Sequence, residues 1–156
     1  MSQKTSRVYE LLIRTTPEQL WQALTDGEFT KDYYYGERIE STWQKGDRYQ
    51  FRDDEGQVGV FGEVLEVDAP HKLVTTFQAS WAPDAEGTPP SVVTWQIEPM
   101  QPLCKLTFSH EGFAPEADLH SGWVLILSGL KTLLETGEPM GMPSETPAES
   151  EVAVNS

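Results

Sequence analysis

The sequence predicts an α+β fold: a seven-stranded antiparallel sheet curved around one long C-terminal helix, with short helices after the first strand. Two observations carry this. Between Glu37 and His110, apolar residues recur at every second position in six runs separated by turn-forming residues. From Leu119 to Leu134 they recur every three or four residues, in the only long amphipathic stretch able to cover one face of such a sheet.

Taken in order, Arg7–Arg14 reads as a strand with Tyr9, Leu11 and Ile13 on one face and Val8, Glu10, Leu12 and Arg14 on the other. Thr16-Pro17-Glu18-Gln19 opens a helix: Thr16 suits the N-cap, Pro17 the first helical position, and Gln19 is placed to close a capping box. Leu20, Trp21 and Leu24 form its apolar side and Asp26-Gly27 stops it, before a short tyrosine-rich segment from Phe29 to Tyr35. The strands that follow are Glu37–Trp43, Arg48–Arg52, Val58–Val67, Lys72–Ser80, Ser91–Glu98 and Leu103–His110. Short turns join most of them, so they form an antiparallel meander. Trp81–Pro90, with three prolines, reads as an exposed loop. The long helix is expected to start at Pro115-Glu116 and end at Thr136-Gly137, burying Leu119, Trp123, Ile126, Leu127, Leu130, Leu133 and Leu134. Residues 1–137 are thus one domain, and 138–156, poor in large apolar residues and free of aromatics, an acidic tail expected to be disordered.

Composition narrows the function classes. The 156 residues hold 11 Lys and Arg against 25 Asp and Glu, a net charge of −14. Four of the acids follow Gly137, so the folded part is itself acidic. Nucleic acid and anionic membrane surfaces, which demand cationic faces, are therefore not expected partners. The longest apolar run, Trp123–Leu127, is five residues, too short to insert in a membrane. Cys104 is alone, which excludes a disulfide scaffold, and the first residues lack the apolar core of a signal peptide. A cytoplasmic protein is the expectation.

At this point three stretches resemble a known superfamily: Glu10-Leu-Leu-Ile-Arg-Thr-Thr-Pro-Glu-Gln-Leu-Trp-Gln-Ala-Leu-Thr25, Gly62-Glu-Val-Leu-Glu-Val-Asp-Ala-Pro-His-Lys-Leu73 and Leu106-Thr-Phe-Ser-His-Glu-Gly112. Gly122-Trp123 and Ser128–Gly137 extend the likeness over residues 7–137. The chain is similar to the helix-grip (SRPBCC, START and Bet v 1-like) proteins, in the branch named after the activator of heat-shock protein 90 ATPase. The resemblance implies a helix-grip fold and, between sheet and helix, an apolar cavity. It implies no cofactor and no universal catalytic signature.

Strand alternation then nominates what lines that space. Val93, Trp95 and Ile97 share one inward face, Leu106, Phe108 and His110 a second, and Leu73, Thr75 and Phe77 a third. Gly122 and Gly129 lie one above the other on the helix and are expected to face the sheet, so the core either closes onto them or leaves a pocket. The candidate ligand-binding residues are Tyr49, Phe51, Phe77, Trp95, Phe108, His110, Trp123 and Ile126. His110 has two readings: a polar handle or general base at the cavity mouth, or a buried histidine bonded to a backbone carbonyl, Ser109 or Ser121. Tyr33-Tyr34-Tyr35, with Trp43 and Tyr49, either rims the pocket or packs the short helices over the open end of the sheet. No His or Cys spacing suits zinc, and no catalytic residue or metal ligand is nominated. The functional reading is a protein binding an apolar, aromatic or lipid-like small molecule. The rivals are a cyclase- or hydrolase-type enzyme in the same cavity and a chaperone-activating partner; a homodimer is left open.

Overall fold

The computed structural model describes residues 5–80 and 90–141. Strands β1 (Thr5–Ile13), β2 (Arg38–Ser41), β3 (Arg48–Arg52), β4 (Val58–Asp68), β5 (Lys72–Ala79), β6 (Ser91–Met100) and β7 (Leu103–Phe113) form one sheet in the order β1-β7-β6-β5-β4-β3-β2. Every neighbouring pair is antiparallel. Register shifts at Thr5/Ser6, Phe51/Arg52 and Val64/Glu66 bend the sheet, because an unpaired extra residue increases local twist. The concave face holds helix α3 (His120–Thr136). Helices α1 (Pro17–Thr25) and α2 (Gly27–Thr30) close one end. Most of the loop expected at Trp81–Pro90, and of the tail expected at 138–156, lies outside the described residues.

The alternations hold. Tyr9, Leu11 and Ile13 turn inward while Val8 and Leu12 stay exposed, and β5 and β7 are buried at every second residue. Thr16 caps α1, its hydroxyl accepting from the Gln19 amide at 3.2 Å. The second half of the expected box is absent: the Gln19 side chain instead accepts from the Thr15 hydroxyl at 3.1 Å.

Element boundaries differ where contacts distant in sequence decide them. The long helix does not start at Pro115. Pro115–Ala117 is a single 3-10 turn, and α3 begins at His120. Asp118 sets that boundary: its carboxylate accepts from the His120 amide at 3.1 Å and is itself held by Arg7 of β1 at 2.6 Å. Leu119, expected inside the helix, is its half-buried N-cap residue. Strand β2 is shorter than the expected Glu37–Trp43, because the Asp47 carboxylate binds the Thr42 hydroxyl and the Gln44 amide and turns the chain at Trp43. Strand β7 continues past His110 through Gly112, whose φ of +83° suits glycine. Asp26-Gly27 ends α1 as expected, but it also opens α2: the Asp26 carboxylate accepts from the Glu28 amide at 2.9 Å.

Phe108, Ile13, Leu20, Leu106 and Leu130 are fully buried at the centre, where β1, β7, α1 and α3 meet. The sheet face and the helix stripe therefore form one continuous core.

Candidate functional site

Between the sheet and α3, on the side of α1 and the connecting segments, aromatic rings converge in a wedge. A cavity of about 30 Å³ remains there, room for about one or two water molecules. The sheet contributes Tyr49 and Phe51 from β3, Leu73, Thr75 and Phe77 from β5, and Val93 and Trp95 from β6. Trp123 enters from α3, Leu24 from α1, Ile39 from β2, and Tyr33, Tyr34 and Trp43 from the connecting segments.

Five of the eight nominated residues thus line this cavity: Tyr49, Phe51, Phe77, Trp95 and Trp123. Phe108, His110 and Ile126 are buried around it without lining it. Phe108 sits behind Trp95 and Trp123, its ring centroid 4.3 Å and 4.6 Å from theirs. Tyr33 and Tyr34 of the tyrosine segment, with Trp43, belong to the wall, and Tyr35 does not. Leu24 and Ile39 are additional. Leu24 was legible as an apolar helix residue, but nothing local says which part of the core it reaches.

The glycines of α3 do not face the sheet, which corrects the expectation. A side chain at Gly122 would meet the Tyr35 hydroxyl at 3.1 Å, and one at Gly129 the Tyr33 Cβ at 3.2 Å. Both positions accommodate the tyrosine segment, which lies across the helix and closes the cavity from that side. Tyr34 completes the closure by stacking on Phe51, centroids 3.9 Å apart and planes at 14°. Two residues beside the cavity hold left-handed backbone, Tyr35 at φ +53° and Trp43 at φ +57°. For bulky residues that conformation costs about 1–2 kcal/mol each. Such strain gathers at sites that must adapt.

Most polar groups of the wall have internal partners. Tyr33 donates its hydroxyl to the Ala23 carbonyl at 2.7 Å, Tyr49 to the Thr76 carbonyl at 2.7 Å, and the Trp43 indole to the Thr25 carbonyl at 3.1 Å. Burial pushes the ionisation of Tyr33 and Tyr49 well above the ordinary phenol range. Tyr34 is the exception: 6% exposed, its hydroxyl has no hydrogen-bond partner among the described residues.

Both ring nitrogens of His110 have partners inside the protein. The Trp123 indole N–H, which can only donate, points at its Nδ1 at 3.2 Å, so Nδ1 is the acceptor. The ring proton then belongs on Nε2, 2.8 Å from the Ser91 hydroxyl, which in turn donates to the Phe77 carbonyl at 3.3 Å. Its partners are therefore Ser91 and Trp123 rather than Ser109, Ser121 or a carbonyl. Burial holds the imidazole pKa down to about 4, against a weak opposing pull from Asp118. With both nitrogens engaged and the ring neutral, His110 locks β6, β7 and α3 together.

Among the described residues, no three His, Cys, Asp or Glu side chains gather to hold a metal ion, and no helix is long and apolar enough to cross a membrane.

A curved antiparallel sheet holding a C-terminal helix, with an aromatic cavity between them, defines a helix-grip protein. Residues 14–135 match the family described as Activator of Hsp90 ATPase homolog 1-like protein, and the chain belongs to that family. No curated protein matches the sequence. Among solved structures it is similar to MLL2253 from Mesorhizobium loti, at 26% identity and TM-score 0.69, covering 83% of this chain and 96% of that one. The Aha1 dimer from Colwellia psychrerythraea has 20% identity and TM-score 0.68, with 85% and 98% covered. An HSP90 activator from Plasmodium falciparum, PFC0360w, has 21% identity and TM-score 0.67, with 83% and 95% covered.

Proposed function

We propose that this protein binds a small apolar or aromatic molecule between its sheet and α3. The observation that carries the reading is the aromatic wedge: Tyr34, Trp43, Tyr49, Phe51, Phe77, Trp95 and Trp123 converge on a cavity closed by a strained segment. Ligand sites enclose about 300–1,000 Å³, so a cavity of about 30 Å³ is a closed state. Opening requires the Tyr34–Phe51 stack to part and the tyrosine segment to lift from Gly122 and Gly129. The helix-grip fold, whose cavity the resemblance implies, supports the same reading.

An enzymatic role needs convergent polar groups free to act. The only histidine of this region has both nitrogens engaged. A chaperone-activating role has behind it the family description and the Plasmodium protein's name, and self-association has the Colwellia dimer.

The test is a tryptophan-fluorescence titration against polyphenols, fatty acids and sterols, repeated by calorimetry. Trp43, Trp95 and Trp123 all border the cavity, so an occupant should change their emission, with affinity in the micromolar range, about −8 kcal/mol. If no compound perturbs them at high micromolar concentration, the wedge is a packed core and the reading fails.

A further inference from the structure

Tyr34 stands apart from the other polar side chains of the cavity wall. It lines the cavity, is 6% exposed, and its ring lies on Phe51 with centroids 3.9 Å apart. The polar groups of its aromatic neighbours in the wall are committed: Tyr33 to the Ala23 carbonyl, Tyr49 to the Thr76 carbonyl, Trp43 to the Thr25 carbonyl and Trp123 to His110. The Tyr34 hydroxyl has no hydrogen-bond partner among the described residues. A buried hydroxyl left unpaired destabilises the free protein, and a ligand atom that meets it restores the loss.

The wall also lacks charge. Among the described residues that line the cavity there is no Lys, Arg, His, Asp or Glu, and Thr75 contributes only a neutral hydroxyl. An ion of either sign would leave water there without meeting a counter-charge, and an unpaired buried charge costs far more than an unpaired hydroxyl. Burial raises the ionisation of Tyr34 well above the ordinary phenol range, so it meets a ligand as a neutral phenol that both donates and accepts. One ligand group suits such a site: a single uncharged oxygen on an aromatic ring.

We propose that Tyr34 is the polar anchor of the cavity, and that the cavity selects uncharged aromatic molecules carrying a hydrogen-bonding oxygen, phenols and aryl ketones, over aromatic carboxylates and aromatic ammonium compounds alike. This rests on the ligand-binding reading above and narrows it.

Four probes of one ring size test it by calorimetry at pH 7: toluene, phenol, benzoate and benzylamine. Phenol should bind at least about tenfold more tightly than either ion. Tyr34→Phe should weaken phenol by about fivefold, the worth of one neutral hydrogen bond, and leave toluene unchanged. Comparing each probe with itself in the two proteins removes the difference in their own hydration. Binding of none of the four up to millimolar concentration overturns the ligand-binding reading itself. Binding of phenol and toluene that Tyr34→Phe weakens equally, or not at all, leaves that reading standing and overturns the anchor. Benzoate or benzylamine bound as tightly as phenol overturns the selection for uncharged molecules. Melting temperatures of the free proteins give an independent check. Tyr33→Phe should lower the melting temperature, and Tyr34→Phe should leave it unchanged or raise it. Equal losses would show that the Tyr34 hydroxyl has a structural partner, and would overturn its assignment.

Discussion

Trp123 of α3 donates its indole N–H to Nδ1 of His110 on β7, and this one bond decides the chemistry of the histidine. It assigns the tautomer, occupies the lone pair a general base would use, and ties the helix to β7, next to the edge strand β1. The Ser91 hydroxyl completes the chain on the other nitrogen.

A neutral buried histidine makes stability depend on pH. The His110 pKa is held near 4 in the folded chain against an ordinary 6.5, so between these values the unfolded chain binds the proton first. The stabilisation is present above about pH 6.5 and is lost as pH falls toward 4, by up to roughly 3 kcal/mol. Urea unfolding of wild type and His110→Gln from pH 7 to 4.5 measures it. The variant should lose less stability over that range, because its amide keeps an acceptor and a donor without titrating. Parallel curves would exclude this role for His110.

The two α3 glycines should respond differently to alanine. Each exchange adds up to about 1 kcal/mol of helix propensity. At Gly122 the new methyl meets only the end of the partly exposed Tyr35 side chain, which can move, so Gly122→Ala should stabilise. At Gly129 it meets the Cβ and backbone of Tyr33, whose hydroxyl is tethered to Ala23, so the gain should be cancelled or reversed. Thermal melts of the two variants compare them directly, and Gly129→Leu should cost about 1–3 kcal/mol by overpacking.

Gly62 on β4 permits the ring of Tyr49 to cross the sheet. A Cβ there would lie 2.3 Å from the Thr76 carbonyl oxygen and 2.8 Å from the Tyr49 ring. Gly62→Ala should therefore cost about 3 kcal/mol or more, because backbone must move. It should also disturb the cavity wall, visible as altered emission from Trp43, whose ring lies 6.5 Å from that of Tyr49. A denaturation midpoint equal to wild type would show that the strand adapts freely.

Cys104 should be inert in the native chain. It is fully buried, its thiol donates to the Thr15 carbonyl at 3.3 Å, and burial raises its pKa. A thiol reagent at pH 8 should label it only as fast as the protein unfolds, since the thiolate is the reactive form. Rapid labelling under native conditions would contradict the burial of Cys104 against the Thr15 carbonyl.

By itself the sequence determined the number and order of the strands, their inward faces and the apolar stripe of the long helix. Period two and period 3.6 are local properties, repeated often enough to be read against noise. The inward sets Leu73-Thr75-Phe77 and Leu106-Phe108-His110 therefore came out correctly, and the fold brings five of the eight candidate ligand-binding residues to the cavity wall. Hydropathy patterns say which way a side chain points but not what it meets. A glycine carries no such signal, so only the folded chain shows Gly122 and Gly129 receiving Tyr35 and Tyr33 rather than facing the sheet. The start of α3 at His120 depends on an Arg7–Asp118 contact spanning 111 positions. His110 takes its partners from β6 and α3, and the cavity takes its size from a ring stacked on Phe51. Each of these is a distance between elements far apart in the chain, and such distances exist only once the sheet has closed around the helix.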